Sequence, residues 1–257
     1  MSMEMESNEH SRSFARPPTS LEAIPLSGRP PVHDATFAAI FDLDGTLIDS
    51  YDAHHRAWKA VCRAHDIDLT PAQFDWSFGR TNPAIIERIW PDAGLPAPDE
   101  ASVSDIADAK ETDFRNELER SFPTMPGAPE LLADLDLAGW RLAIGTSAPQ
   151  GNLKTALRLL PEAGRLQATV CGDEVVRGKP DPEVFLLAAE RLGVAPERCV
   201  VIEDAGHGIA AARAAGMVSV GLVSTGRTNE ELAHAHLVVQ ELTELDSRRL
   251  AALFDHR

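Results

Sequence analysis

Two carboxylates stand two residues apart in Phe41-Asp42-Leu43-Asp44-Gly45-Thr46. In an extended strand residues i and i+2 share a face, so Asp42 and Asp44 can address one reaction centre. Carboxylates this close repel each other, and a bound cation relieves the repulsion. Gly45 lets the chain turn and brings backbone N–H groups near an anion. A second acidic pair, Glu203-Asp204, ends the apolar run that includes Val201-Ile202, and small residues with a helical pattern follow. Mg²⁺ takes one or two protein carboxylates, waters and a substrate phosphate. The expected metal set is Asp42, Asp204 and the backbone carbonyl of Asp44, with Glu203 in the outer shell.

Two further segments offer what an anionic substrate needs. Gly145-Thr146-Ser147 follows an apolar run and precedes a helical pattern beginning near Pro149. Its hydroxyls and free N–H groups suit a phosphate oxygen. Arg177-Gly178-Lys179-Pro180-Asp181-Pro182 holds a lysine beside two prolines that stiffen the loop. Asp181 and Pro182 read there as N-cap and first residue of the next helix. Taken singly, each segment has a plain reading. Two acids can make a solvated turn, Asp204 and the Thr146-Ser147 hydroxyls can cap helices, and a lone lysine in a loop is usually solvated. Jointly they supply a nucleophile, metal ligands, a hydroxyl and a lysine at the ends of apolar runs, which is the inventory of phosphoryl transfer.

The elements that must position these groups are short apolar runs alternating with helical patterns. The runs begin at Phe37 and continue at 141–146 (RLAIGT), 168–171, 199–203 (CVVIE) and 218–223 (VSVGLV), with 237–239 as a last edge strand. Helical patterns cover 128–138, 152–160, 182–192 and 207–215. Strands alternating with helices imply an α/β fold, a Rossmann-like doubly wound parallel sheet with helices on both faces. From 51 to 122 only helical signals occur. Tyr51, His54, Trp58, Val61, Cys62 and His65 share one helical face. Residues 84–90 and 103–118 read as two more helices, and Pro71 opens another. This block is expected to be an inserted all-helical cap over 50–123, with the α/β core in 35–49 and 124–257. Residues 1–34 are polar and proline-rich and are expected to be a disordered extension.

Composition narrows the partners. The chain has 257 residues, 44% of them hydrophobic, enough for a substantial core, and a net charge of −16. Such a charge disfavours nucleic acid and anionic membrane as partners. A small anionic metabolite meets the same field, so its site needs local positive charge. Cys62, Cys171 and Cys199 are widely separated. They form neither a disulfide framework nor a zinc spacing, which suits a reducing cytoplasm. No apolar stretch is long enough to span a bilayer, and the acidic N-terminus does not read as a secretory signal. The chain is expected to be a monomer or a small homo-oligomer.

The segments FDLDGTLIDS, LAIGTS, GKPDPEVF and VIEDAGHGIAAARAAGM, in that order, resemble the motifs of the haloacid dehalogenase superfamily of aspartate-nucleophile phosphatases. The helical insertion after DGT resembles the subgroup that includes β-phosphoglucomutases and phosphoglycolate-type phosphatases. The resemblance implies that Asp42 attacks phosphorus and forms an aspartyl phosphate. It implies that Asp44 is acid and then base, that Thr146 and Lys179 bind phosphoryl oxygens, and that Asp204 holds Mg²⁺. It places His54 and Lys110 on the cap side of the substrate, while Gly45 and Ser147 are expected against the phosphoryl group from their own chemistry, and Arg80 is expected to supply a cap charge from a position that departs from the mutases. Bland readings stand beside two of these: a partly buried helix residue for His54 and a solvated helix face for Lys110. Plain dehalogenation is disfavoured, because Asp44 supplies a second acid. The mutases carry basic residues around the cap-loop glycine where this chain has Phe78 and Asn82. The expectation is therefore a Mg²⁺-dependent phosphatase of small phosphomonoesters such as sugar phosphates, with a β-phosphoglucomutase-like mutase as the alternative. A non-catalytic receiver module is disfavoured by the acid pair on the first strand and the large helical insertion.

Overall fold

The computed structural model describes residues 37–78 and 80–255. The expected extension at 1–34 and Gly79 of the cap loop lie outside the described residues. The chain order is β1 (Ala38–Phe41), α1 (Tyr51–Ala64), α2 (Pro71–Ser77), α3 (Asn82–Asp92), α4 (Glu100–Arg120), α5 (Ala128–Leu137) and β2 (Arg141–Gly145). Then come α6 (Gln150–Leu159), β3 (Ala168–Val170), α7 (Glu183–Leu192), β4 (Cys199–Glu203) and α8 (Gly206–Ala214). β5 (Val218–Leu222), α9 (Asn229–Leu232), β6 (Leu237–Val239) and α10 (Ser247–Ala252) complete it.

All six strands are parallel, in the order β3-β2-β1-β4-β5-β6. The chain fills one side of β1 through β3, then crosses to the other side with β4. β1 is therefore the switch point, and in open α/β sheets ligands bind beyond the strand ends at such a point. Phe41 pairs in register with Ile144 on β2 and Ile202 on β4. The residues that follow these three, Asp42, Gly145 and Glu203, are thereby brought level.

Strand side chains alternate between two apolar layers. Ala39, Phe41, Leu142, Ile144, Val200 and Ile202 share one layer with Leu131, Leu132 and Leu135 of α5. Ala38, Ile40, Ala143 and Val201 share the other with Phe185 and Ala188 of α7 and Ala211 and Ala212 of α8. Burial on both faces explains why the strands read as continuous apolar runs.

Helices α1 to α4 form the inserted helical cap. Trp58, Val61, Cys62, Phe74, Ile85, Ile86, Ile89, Trp90 and Ile106 pack into an apolar cluster of their own. Ala53 and Ala57 of α1 and Phe114 and Leu118 of α4 belong instead to the sheet's cluster. The base of the cap is thus continuous with the core. His65 closes α1 as its C-cap and is exposed, yet its ring still meets Trp90 of the cap cluster edge-on at 5.2 Å between centroids. Thr70 and Gln73 form a capping box with Pro71 in the first turn of α2, and Asp99 caps α4 by accepting from Ser102 N–H. Before α7 the start falls one residue later than the prolines suggest. Pro182 is the N-cap, and Asp181 Oδ1 accepts from Glu183 N–H at 3.1 Å. No helix among the described residues is long and apolar enough to cross a membrane.

Candidate active site

Asp42 leaves β1 with its N–H bonded to the Ile202 carbonyl at 2.9 Å, so the sheet ladder holds it one residue past the strand. β4 ends beside it at Glu203, and Asp204 begins the turn into α8. Carboxylate oxygens of Asp42, Glu203 and Asp204 lie within 4.8 Å of one another, and all three residues are buried. Burial, foremost, pushes the proton affinity of each group up, joined at Asp42 by the charges of Glu203 and Asp204 and at Glu203 by that of Asp204. Asp42 stands well above its ordinary range.

Lys179 Nζ answers two of them. It donates to Asp42 Oδ1 at 2.5 Å and to Glu203 Oε2 at 2.8 Å, with its side chain only 2% exposed. Although burial opposes its charge, Asp42 and Glu203 hold its proton affinity above the usual lysine range. The reading of Lys179 as solvated surface is overturned, because its loop folds inward over the strand ends. The reading of Asp204 as a helix cap is likewise overturned. Ala205 is the N-cap, without a side-chain cap bond, while Asp204 Oδ2 accepts from Ser224 Oγ and Arg227 Nε, each at 3.0 Å.

These residues fit a divalent cation. Three buried carboxylates face two cations, Lys179 and Arg227, and the deficit of positive charge falls where their oxygens converge. Gly45 completes the cradle. Its φ is +80°, and a Cβ there would lie 2.2 Å from Asp204 Oδ2. Only glycine allows both that backbone conformation and that approach. The carboxylate of Asp44 is not part of the cluster. It turns toward the cap, where its Oδ1 lies 3.4 Å from His54 Nε2 without forming a hydrogen bond.

A chain of polar side chains leads from Asp44 into the cap. Lys110 Nζ lies 2.9 Å from His54 Nδ1 and donates to Glu111 Oε1 at 2.9 Å. An ammonium only donates, so Nδ1 accepts and the ring proton sits on Nε2, facing Asp44. His54 stacks on Phe114 at 3.9 Å between centroids, which fixes the ring plane. Burial and then the Lys110 charge lower the proton affinity of His54, in keeping with the neutral ring that its contact with the Lys110 ammonium requires. Burial alone would raise Asp44, but His54, more than the Lys110 charge, holds it below its ordinary range. Lys110 is 3% exposed, and the expectation of a solvated helix face is corrected: Glu111 supplies the counter-charge that makes its burial tolerable.

The remaining expected residues are placed as follows. Thr146 is buried, and its Oγ1 accepts from Ala148 N–H at 3.1 Å. Ser147 is exposed beside it, and both line the same cavity as Asp42, Asp44 and Lys179. Arg80 is exposed at the cavity's far end. Its Nε donates to the Trp76 carbonyl at 2.9 Å and its guanidinium lies over the Trp76 ring. The cavity measures about 810 Å³, and Trp58, Phe74 and Phe78 form its apolar wall.

Three residues outside the motifs, Glu111, Asn152 and Arg227, belong to this assembly, as does His207, which lies within the last motif but carried no expected role. Glu111 gathers Asn82 Nδ2 at 2.7 Å and Asn152 Nδ2 at 2.6 Å besides Lys110. Asn152 sits in the first turn of α6, just beyond Thr146 and Ser147. Arg227 holds Asp204 from the loop after β5. His207, in the first turn of α8, lines the cavity. Burial and the charges of Lys179 and Arg227 push it down to about 4, so it is a neutral wall. Only Lys110-Glu111, an adjacent acid and base on one helix, left a local trace. The others depend on where distant loops arrive.

A family model described as haloacid dehalogenase-like hydrolase matches residues 38–216. The chain is 35% identical over 208 residues to validoxylamine A 7'-phosphate phosphatase of Streptomyces hygroscopicus subsp. limoneus, covering 80% of this chain and 94% of that protein. It is 34% identical over 199 residues to hexitol phosphatase A of Escherichia coli (strain K12), covering 74% and 86%. The crystal structure of β-phosphoglucomutase from Clostridium difficile superposes with a TM-score of 0.75 at 25% identity, covering 86% of this chain and 98% of that one.

Proposed function

The chain belongs to the haloacid dehalogenase-like hydrolases, and from that premise we propose that it is a phosphatase of sugar phosphates and similar small phosphomonoesters, with Asp42 as nucleophile. The observation that carries this reading is the convergence of Asp42, Glu203, Asp204 and Lys179 at the strand ends, beneath a cavity with an apolar wall and polar cap groups. The relatives named as phosphatases act on phosphorylated small molecules, which supports the substrate class. The core is taken as 35–49 and 124–257 and the cap as 50–123.

Asp42, Asp204 and the Asp44 carbonyl would hold Mg²⁺, with Glu203 behind them. When bound, the cation neutralises the phosphoryl oxygens and the crowded carboxylates. The protein's own residues do the rest. Asp42 attacks phosphorus, the Asp42 O–P bond forms, and the bond to the leaving oxygen breaks. Asp44 gives that oxygen a proton. Asp44 then takes a proton from water, the water oxygen bonds to phosphorus, and the Asp42 O–P bond breaks to release inorganic phosphate. Asp44 rests ionised; an arriving phosphoryl dianion raises its proton affinity, so that it takes a proton from solvent before donating it to the leaving oxygen. Neutral His54 orients it. Lys179 and Thr146 steady the phosphoryl oxygens, and Gly45 and Ser147 border them. His54, Lys110 and Arg80 face the rest of the substrate.

The mutase alternative requires a site for a second phosphate. Among the described residues lining the cavity, the cations other than Lys179, which serves the first phosphate, are engaged elsewhere: Lys110 by Glu111, Arg227 by Asp204, and Arg80 by the Trp76 carbonyl. Asn82 is bonded to Glu111. Hydrolysis of a monophosphate is therefore favoured over transfer between two phosphates. The three cysteines are buried free thiols, which suits the cytoplasm. The test is a phosphate-release screen over sugar phosphates, polyol phosphates, phosphoglycolate and nucleotides, with Asp42→Asn as control. Expected are release from one or more sugar or polyol phosphates and a loss on the order of 10⁴-fold in the control. Wild-type rates in Asp42→Asn, or glucose 6-phosphate made from β-glucose 1-phosphate without phosphate release, would overturn it.

A further inference from the structure

The loop after β5, Ser224-Thr225-Gly226-Arg227, carries no recognisable motif. Each of its residues nevertheless meets something that matters to the site. Ser224 Oγ and Arg227 Nε both donate to Asp204 Oδ2 at 3.0 Å. The loop thereby fixes one oxygen of the Asp204 carboxylate from two directions. Thr225 Oγ1 donates to Asp49 Oδ2 at 3.0 Å. Asp49 lies just before α1, and its N–H donates to the Pro123 carbonyl at 2.8 Å, so it sits where both connections between sheet and cap pass. Gly226 has φ +80° and lies against the Tyr51 ring, where a Cβ would fall 2.8 Å from Cε2. The Arg227 guanidinium lies 4.6 Å from the centroid of Phe78, and Phe78 meets Tyr51 edge-on at 4.9 Å. Arg227 is only 13% exposed, and a cation–π contact strengthens as it is withdrawn from water.

We infer that the loop 224–227 couples the position of the cap to the orientation of Asp204, with Arg227 as the positioning residue for that cation ligand. The inference rests on the cation site proposed above. The contacts to Tyr51 and Phe78 exist only while the cap sits against the loop. When the cap lifts, Arg227 loses its ring and Asp204 loses an oriented partner. A differential contact of this kind shifts an equilibrium in both directions. Cation binding favours the seated cap, and the seated cap favours cation binding. Arginine suits the role because its planar head donates to a carboxylate while stacking on an aromatic face, which lysine cannot do.

The test is calorimetric titration of Mg²⁺ into the full chain without substrate, for wild type, Arg227→Lys, Phe78→Leu and the double variant. Arg227→Lys keeps the charge, so it changes geometry and leaves the attraction for the cation intact. Phe78 touches none of the carboxylates in the cluster. Each single variant is expected to weaken Mg²⁺ binding about tenfold. The double variant is expected to be no weaker than Arg227→Lys alone, because both act through one contact. Thermal melts of each variant verify folding, and Phe78→Met replaces Phe78→Leu should the latter not fold. Wild-type protein that binds no Mg²⁺ would overturn the cation site and this inference with it. Wild-type protein that binds Mg²⁺ while the variants match it, or losses that add in the double variant, would overturn the coupling alone.

Discussion

Lys179 Nζ lies 2.5 Å from Asp42 Oδ1, and the same ammonium reaches Glu203 Oε2 at 2.8 Å. One buried cation therefore holds apart two buried acids from strands β1 and β4, and it does so from a loop between β3 and α7. Lys179→Met leaves both buried carboxylates without a counter-charge, and Glu203 keeps only the Ala205 N–H. It is expected to destabilise the chelated protein by about 3–5 kcal/mol at neutral pH, read from urea unfolding. The sign with pH follows. Asp42 and Glu203 have folded proton affinities above their unfolded ones. The stability they retain when protonated is present below the ordinary carboxylate range and is lost as pH rises through the folded values. The gap between variant and wild type should thus narrow as pH falls toward 5. A gap that widens on acidification would show that the pair is not the cause.

Removal of the cation is expected to abolish phosphate release, and Mg²⁺ is expected to restore it. Stability gives a reading independent of turnover. Mg²⁺ at about 100 times its dissociation constant should add roughly 2.7 kcal/mol to the wild type by mass action. Asp204→Asn should remain folded without Mg²⁺ and gain little from its addition. Equal stabilisation of the two proteins would place the cation elsewhere.

Glu111 accepts from the cap residues Asn82 and Lys110 and from Asn152 of the α/β core. Glu111→Ala strands the ammonium of Lys110 and should cost on the order of 3 kcal/mol. Asn152→Ala removes two bonds between core and cap, the donation to Glu111 and the acceptance by Oδ1 from Arg115 Nη1 at 3.2 Å, but strands no charge, and should cost less, about 1.5 kcal/mol, the low end for a hydrogen bond to a charged group. If the two variants lose equal stability, Lys110 does not depend on Glu111. Urea unfolding of both settles the order.

Tyr51 is the sole tyrosine of the chain, so an ultraviolet titration reads it alone. Its hydroxyl donates to Asp75 Oδ1 at 2.6 Å, and that bond, with burial and the Asp75 charge, pushes its pKa up to about 12 from 10.0. The expected midpoint is near 12, and Asp75→Asn should bring it back toward 10. The folded protein keeps the proton longer than the unfolded chain. The contribution of Tyr51 to stability is thus complete below about 10 and is lost as pH rises through about 12. A wild-type midpoint at the ordinary phenol value would show that the α1–α2 contact does not persist in solution.

The four inner strands were legible because each is short and buried on both faces, and the partly exposed edge strands β3 and β6 because each still carries a short apolar run. β4 and β6 have the bounds that their apolar runs suggest, and the others differ by a residue or so at their ends. The cap helices were legible from periodicity, although α4 runs longer at both ends than its apolar residues imply. Polar residues there extend the helix through capping by Asp99, which apolar spacing does not record.

The amino-acid order alone determined what is local: two acids two apart on a strand, a lysine beside prolines, hydroxyls after a glycine, and a helical block after the first strand. Face and period are properties of neighbouring residues, so these could be read directly. Only the tertiary structure decided whether Lys179 and Lys110 are solvated or buried, because burial of an ammonium depends on a counter-charge brought to it. For Lys179 those partners are 137 and 24 residues away along the chain. Likewise Arg227 and Asn152 acquired roles only when loops and helix ends from separate crossovers met around β1. Side chains that neutralise a charge at hydrogen-bond distance are chosen by where the chain returns, and no periodicity in the sequence encodes that return.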